Sequence, residues 1–222
     1  EIALRPTYTP IRVDERDASL TRVFFGGINV YLEYKSRLWR KLPRLMTRWA
    51  DSPWFIKLAT RFGVSNDAAE LGELTLAMLE GESGPHRHDV AELASYLAHL
   101  KPDVVVFSNA LLCGAVRTIR ERYSGKILCT LQGDDIFLEG LPEPHRSRAI
   151  DRIRERAAGF DGFVTHSAYY RDFMMEYLGL PTAKFHQLPL GIDLTGHDGV
   201  AGEGKRGRFT VGFFARICPE KG

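Results

Sequence analysis

The sequence predicts an α/β chain built on a doubly wound parallel sheet with helices on both faces. Three observations carry that expectation. Short runs rich in β-branched and aromatic residues, "PDVVVF", "KILCTL" and "GFVTH", recur between residues 102 and 166, with the length and composition of strands buried on both sides. The stretches after them show helical periodicity. Strand, loop, helix and strand then repeat in that order, as parallel strands require of their crossovers.

In chain order, "EIALRP" at residues 1–6 is a short strand candidate and "TYTPIRVDERDAS" a polar loop. After "VFFGG", Ile28, Tyr31, Leu32, Leu38, Trp39 and Leu42 recur at three- and four-residue spacing, and Pro43, Pro53 and Gly63 punctuate a helical region reaching about residue 81. "DAAELGELTLAMLEG" and "DVAELASYLAHL" are amphipathic helices separated by the loop "GESGPHRH". "ALLCGAVRTIRERYS" follows the strand "PDVVVF" as a helix. "KILCTL" leads into the loop "QGDDIFLEGLPEP" and then the charged helix "HRSRAIDRIRERAAG". "GFVTH" precedes "AYYRDFMMEYLG", which Ser167 is placed to cap and Gly179 and Pro181 to end. "KFHQLPLGI" and "FTVGFFAR" complete the strands, with "DLTGHDGVAGEGKRGR" a tether between them.

At 222 residues and 44% hydrophobic content the chain is large enough to bury a real core. Its net charge of +2 gives no global attraction to nucleic acid. No stretch approaches the roughly 20 apolar residues of a membrane span. Cys113, Cys129 and Cys218 have neither zinc-knuckle nor disulfide-framework spacing, and read as packed thiols of a cytoplasmic protein. Residues 35–61 carry eight Lys or Arg against one Asp, interleaved with Trp39, Trp49 and Trp54. That composition suits an anionic membrane surface, where each nearby charge contributes about 1 kcal/mol; a solvated helix with its tryptophans turned inward explains it equally. The localisation expected is cytoplasmic, with a peripheral position at the inner face of the membrane added if residues 35–61 touch lipid.

Sheets of this class bind ligands at the carboxyl ends of their strands. Gln132, Asp134 and Asp135 open the loop after "KILCTL"; they have the chemistry to bond sugar hydroxyls, or the carboxylates to cap the next element. Gly26 and Gly27 precede a helix start, where backbone N–H groups form a natural anion site or the pair makes a tight loop-to-helix turn with no ligand. His86, His88 and Asp89 have too few partners for a closed metal site and read as a solvated loop. Gly202, Gly204 and Gly207 imitate a dinucleotide fingerprint but follow no strand.

Taken together, "FFGGINVYLEY", "TLQGDD", "HSAYYRDFMMEYLG", "LPLGID" and "GFFARICPEKG" stand in the order seen in glycosyltransferase family 4. The chain resembles the N-terminal Rossmann-like domain of such a GT-B enzyme over essentially its whole length. The resemblance implies an acceptor-side domain at residues 1–193 and an interdomain linker at 194–208. Residues 209–222 would then be the first strand and loop of a truncated nucleotide-sugar-binding domain. By the same resemblance, Gly26 and Gly27 approach the donor diphosphate, and Arg216 and Lys221 neutralise it as it leaves, although Ala215 replaces the glycine before that Arg.

Gln132 stands where many members have His, with Gly133 and Asp135 retained. A glutamine positions a sugar but does not shuttle protons, so Gln132 and Asp135 are candidate catalytic positions in that limited sense. Ser108, Asn109, His166 and Tyr170, at predicted strand ends, are the acceptor-side candidates. The implied reaction moves a sugar, with retention, from a nucleotide-sugar co-substrate to a glycan or lipid-linked acceptor, with no further cofactor and no metal. The family's glutamate pair, spaced eight apart downstream, is not in this sequence, so these 222 residues alone are expected to be inactive. A non-catalytic Rossmann-like binding or scaffold module, and a GT-B sugar epimerase, are the rival expectations.

Overall fold

The computed structural model describes residues 68–191, 194–195, 212–213 and 215, and the backbone of 12–13 and 16–17. The chain divides into two units, Glu1–Pro189 and Leu190–Gly222. Gly26, Gly27, Arg216, Lys221, Cys218, the strand candidate at 1–6 and the basic segment 35–61 lie outside the described residues, as does all but Gly212, Phe213 and Ala215 of "FTVGFFAR".

In the first unit, β1 (Arg12–Val13) and β2 (Arg16–Asp17) form a small antiparallel ladder inside the segment expected to be a loop. The main sheet is built from β3 (Val104–Phe107), β4 (Lys126–Thr130), β5 (Gly162–Thr165) and β6 (Phe185–Gln187), in that spatial order and parallel throughout. Around it pack α1 (Ala68–Leu79), α2 (Arg87–Leu100), α3 (Val116–Arg120), α4 (Asp134–Glu139), α5 (His145–Ala157) and α6 (Ala168–Leu178). This is the Rossmann-like α/β arrangement the strand and helix alternation predicts.

Several elements depart from expectation for physical reasons. The stretch after β3 begins as a 3-10 helix, Ala110–Ala115, because Asn109 Oδ1 takes the Leu111 N–H at 3.1 Å and sets a tight first turn. The tight turn is held against the end of α1 by two glycines. A Cβ on Gly81, whose φ is +60°, would lie 1.9 Å from the Gly114 carbonyl oxygen, and one on Gly114 would lie 2.3 Å from that of Met78. The supposed loop after β4 contains the short helix α4. β3 was expected to be buried on both faces, yet Val104 and Val106, which share one face, are 45% and 57% exposed, while Phe107 on the other face is buried. His86 and Asp89 are buried, against the solvated-loop reading, while His88 is exposed. The buried stripe of α2 explains it: Asp89, Val90, Leu93, Ala94 and Leu97 face inward, and His86 extends that face by one turn.

The core runs across the sheet as a chain of rings. Phe107 meets Phe160 at 5.5 Å between centroids, Phe160 meets Phe163 at 5.4 Å, and Phe163 meets Phe185 at 5.3 Å. Such pairs add about 0.5–1.5 kcal/mol each beyond their burial. Ile119, Ile127, Leu138, Ile153, Met174 and Leu178 are fully buried between sheet and helices, each contributing about 1.5–3 kcal/mol. On α5, Ala149, Ile153 and Ala157 recur every four residues, so a helix dominated by charges presents a narrow apolar seam to α1 and the 3-10 turn after β3. Among the described residues no helix is long and apolar enough to cross a membrane.

Candidate functional site

The carboxyl ends of β3, β4 and β5 bring the predicted positions to one edge of the sheet. Parallel register places the ends of β4 and β5 side by side, with Thr130 opposite Val164. The loops that leave them carry Gln132 to Asp135 and His166 to Tyr170. Leu131, Gln132, Gly133, His166, Ser167 and Tyr170 line a hollow of about 250 Å³ there.

Each wall is fixed by bonds made within the edge. Gly133 adopts φ +105°, a left-handed conformation natural to glycine, at the start of α4. The next residue, Asp134, turns inward instead of projecting: its side chain accepts from Ala110 N–H at 2.6 Å and from Gln132 N–H at 3.1 Å. It thereby ties the β4 loop to the turn after β3. Burial pushes its carboxyl above the ordinary carboxylate range despite those two N–H donors. Asp134 thus caps the turn after β3, not the element that follows it, and α4 begins without a side-chain cap.

Asp135 is half-buried and held differently. The Tyr170 hydroxyl donates to Asp135 Oδ1 and accepts from Gly133 N–H at 2.7 Å. One phenol therefore clamps the β4 loop onto α6. Burial, and then the bond to Asp135, raise the Tyr170 hydroxyl well above its usual range, so it stays a donor. α6 itself begins as expected, with Ser167 Oγ accepting from Tyr170 N–H at 3.1 Å.

Gln132 is exposed, and its Nε2 donates to the Ser108 carbonyl at 3.2 Å. His166 Nδ1 lies 2.9 Å from the Leu188 carbonyl oxygen. A carbonyl only accepts, so Nδ1 carries a proton, and in the neutral ring Nε2 presents a lone pair. The structure therefore assembles Gln132, His166 and Tyr170 on the wall and Asp135 directly behind Tyr170. Ser108 and Asn109 sit at the end of β3 without lining the hollow, and Asn109 is occupied in capping.

Sequence reasoning missed the role of the Leu188 carbonyl, a backbone atom with no composition signal. It also missed the buried Thr165, whose Oγ1 has no hydrogen-bond partner at this same edge. Among the described residues no group of three or more His, Cys, Asp or Glu side chains is placed to hold a metal ion.

No curated protein and no solved structure matches the chain to significance. A family model described as Glycosyltransferase Family 4 does, over residues 25–195. That span contains the whole four-stranded sheet, both loops of the hollow and every residue that fixes them. A match over well over half of the sequence, carried by a fold of the right class, places the chain in glycosyltransferase family 4.

Proposed function

We propose that the protein carrying this chain transfers a sugar from a nucleotide-sugar to a hydroxyl of an acceptor, with retention, and that the acceptor docks at the carboxyl edge of β4 and β5. The observation that carries the reading is the hollow between those strands, walled by Gln132, His166 and Tyr170 in a family 4 domain. Its chemistry is positional. The Gln132 amide bonds sugars without taking a proton, and Asp135, oriented by Tyr170, offers a fixed carboxylate oxygen. Charge on the departing diphosphate would be met by Arg216, Lys221 and the backbone near Gly26 and Gly27, none of them among the described residues. A lipid-linked acceptor with residues 35–61 on an anionic surface is the membrane form of the same proposal.

The test is nucleoside diphosphate release from a panel of nucleotide-sugars with hydroxyl acceptors, and the anomeric configuration of the product read by NMR. Acceptor-dependent release with retained configuration supports the reading. No acceptor-dependent release from any donor, or an inverted product, overturns it.

A further inference from the structure

The two faces of the main sheet are unequally covered. Its strands follow one another in space in chain order, and right-handed crossovers between strands so arranged put every connecting helix on the same face. α1 and α2 join that side by packing on α5, α3 and the 3-10 turn after β3. The covered face carries Phe107, Ile127, Cys129, Phe163, Thr165 and Phe185, all buried. Register assigns Val104 and Val106 to the opposite face, beside Lys126 and Leu128, with Thr130 beside Val164. There Val104 and Val106 are 45% and 57% exposed, and Leu128, Thr130 and Val164 are only half-buried. The Lys126 ammonium is drawn to Asp161 at the amino edge, so the middle of this face is apolar. Parallel sheets are stable with both faces covered, and a row of valines calls for a dry partner.

The sequence supplies one in residues 28–42, which lie outside the described residues. At helical spacing Ile28, Tyr31, Leu32, Leu38, Trp39 and Leu42 fall within an arc of about 120°. Glu33, Arg37, Arg40 and Lys41 fall on the other side. A helix of that length is about 22 Å long and about 10 Å wide, enough to lie over two strands about 4.8 Å apart. Residues 43–67 are ample chain to round the sheet and reach α1. Pro43 ends the stripe, and residues 44–52, between it and Pro53, make a poorer cover: they are shorter and carry Arg44, Arg48 and Asp51.

We propose that residues 28–42 are the helix that covers the open face of β3 and β4, with Trp39 enclosed against Val104 and Val106. The inference is independent of the sugar-transfer reading. It bears on the membrane question instead: the apolar stripe of this helix is spent on the sheet and its cations face water, so any lipid contact by residues 35–61 falls to the part beyond Pro43.

Two measurements on the 222-residue chain test this. Trp49→Phe with Trp54→Phe leaves Trp39 as the single tryptophan. Its fluorescence is expected to be blue-shifted, shielded from acrylamide, independent of protein concentration and unchanged by phosphatidylglycerol vesicles. Val106→Thr keeps the shape and the β-branch but adds a hydroxyl, which a covered position cannot hydrate; it should lower the melting midpoint by about 4 °C and open Trp39 to quenching. Red-shifted, freely quenched emission overturns the proposal. So does a blue shift that needs vesicles, which would give the stripe to lipid, or one that needs high protein concentration, which would give the face to a second copy. A wild-type midpoint for Val106→Thr overturns it as well, since that valine would then face water. This melt, made in the otherwise unchanged chain, decides the matter even where the double tryptophan variant does not fold.

Discussion

The two edges of the parallel sheet use polar side chains in opposite ways. At the amino edge Asp161, Arg120 and Lys184 are spent on the fold. Asp161 accepts from Ile127 N–H at 2.8 Å, from Lys126 Nζ at 3.2 Å and from the Arg120 guanidinium. Arg120 also bonds the carbonyls of Gly159 and Gly125. Lys184 Nζ reaches the carbonyls of Ala157, Ala158 and Phe160, closing the end of α5 where the helix dipole favours a cation. At the carboxyl edge, Asp134 and Tyr170 do similar structural duty, but Gln132 Oε1 and His166 Nε2 remain open and Thr165 Oγ1 is buried without a partner. Buried polar groups are normally satisfied. The difference teaches that charges at the amino edge serve the fold, whereas the carboxyl edge keeps side-chain atoms open toward the hollow.

Breaking the comparison begins with Asp134. Asp134→Ala leaves two N–H groups without acceptors and frees the β4 loop from the turn after β3, an expected loss of about 3 kcal/mol in urea unfolding. The amino edge comes next. Asp161→Ala should cost about 2 kcal/mol and change the acid limb of stability. Burial works against the Asp161 carboxylate, but Ile127, Arg120 and Lys126 outweigh it and hold its pKa down from 3.8 to about 2. A depressed carboxylate contributes stability that is complete above its unfolded pKa and is lost as pH falls through the folded one. The wild type should therefore lose this contribution between about pH 4 and pH 2, and Asp161→Ala should flatten that segment in pH-dependent unfolding.

The carboxyl edge follows with smaller effects on stability. Tyr170→Phe removes the clamp on Gly133 and Asp135; it should cost about 1 kcal/mol and raise the KM for acceptor more than it lowers the melting midpoint. Smallest, and of opposite sign, Thr165→Val deletes an unpaired buried hydroxyl at nearly constant volume and should leave stability unchanged or raise it by up to about 1 kcal/mol in thermal melting. A clear loss there would show that the carboxyl edge is as fully paired as the amino edge. Cys113 sharpens the picture of the interior: burial pushes its thiol up to about 12, so mass mapping after a thiol reagent should find it unlabelled until the chain unfolds.

Much of this was legible in the sequence. The β-branched runs mark β3, β4 and β5 because burial between layers selects such residues, and Ser167 with Gly179 brackets α6 because those side chains satisfy or permit helix ends. The edge holding Gln132, Asp135, His166 and Tyr170 was legible too, since the position of ligand loops follows from strand direction. What escaped depends on contacts far apart in the chain. Whether Asp134 projects or turns inward is decided by Ala110, 24 residues away. The burial of His86 depends on which helical face meets a neighbour, and the tautomer of His166 depends on a carbonyl 22 residues on. Local patterns carry no record of such partners.

The separation of duties between the two edges is tested most directly by the sugar-transfer rate of Gln132→Ala, measured well below its melting temperature in the protein carrying this chain. The account predicts a melting midpoint equal to the wild type and transfer reduced at least about tenfold, the loss of one orienting contact. Wild-type transfer by Gln132→Ala would contradict it, because the open acceptors of the carboxyl edge would then take no part in the reaction.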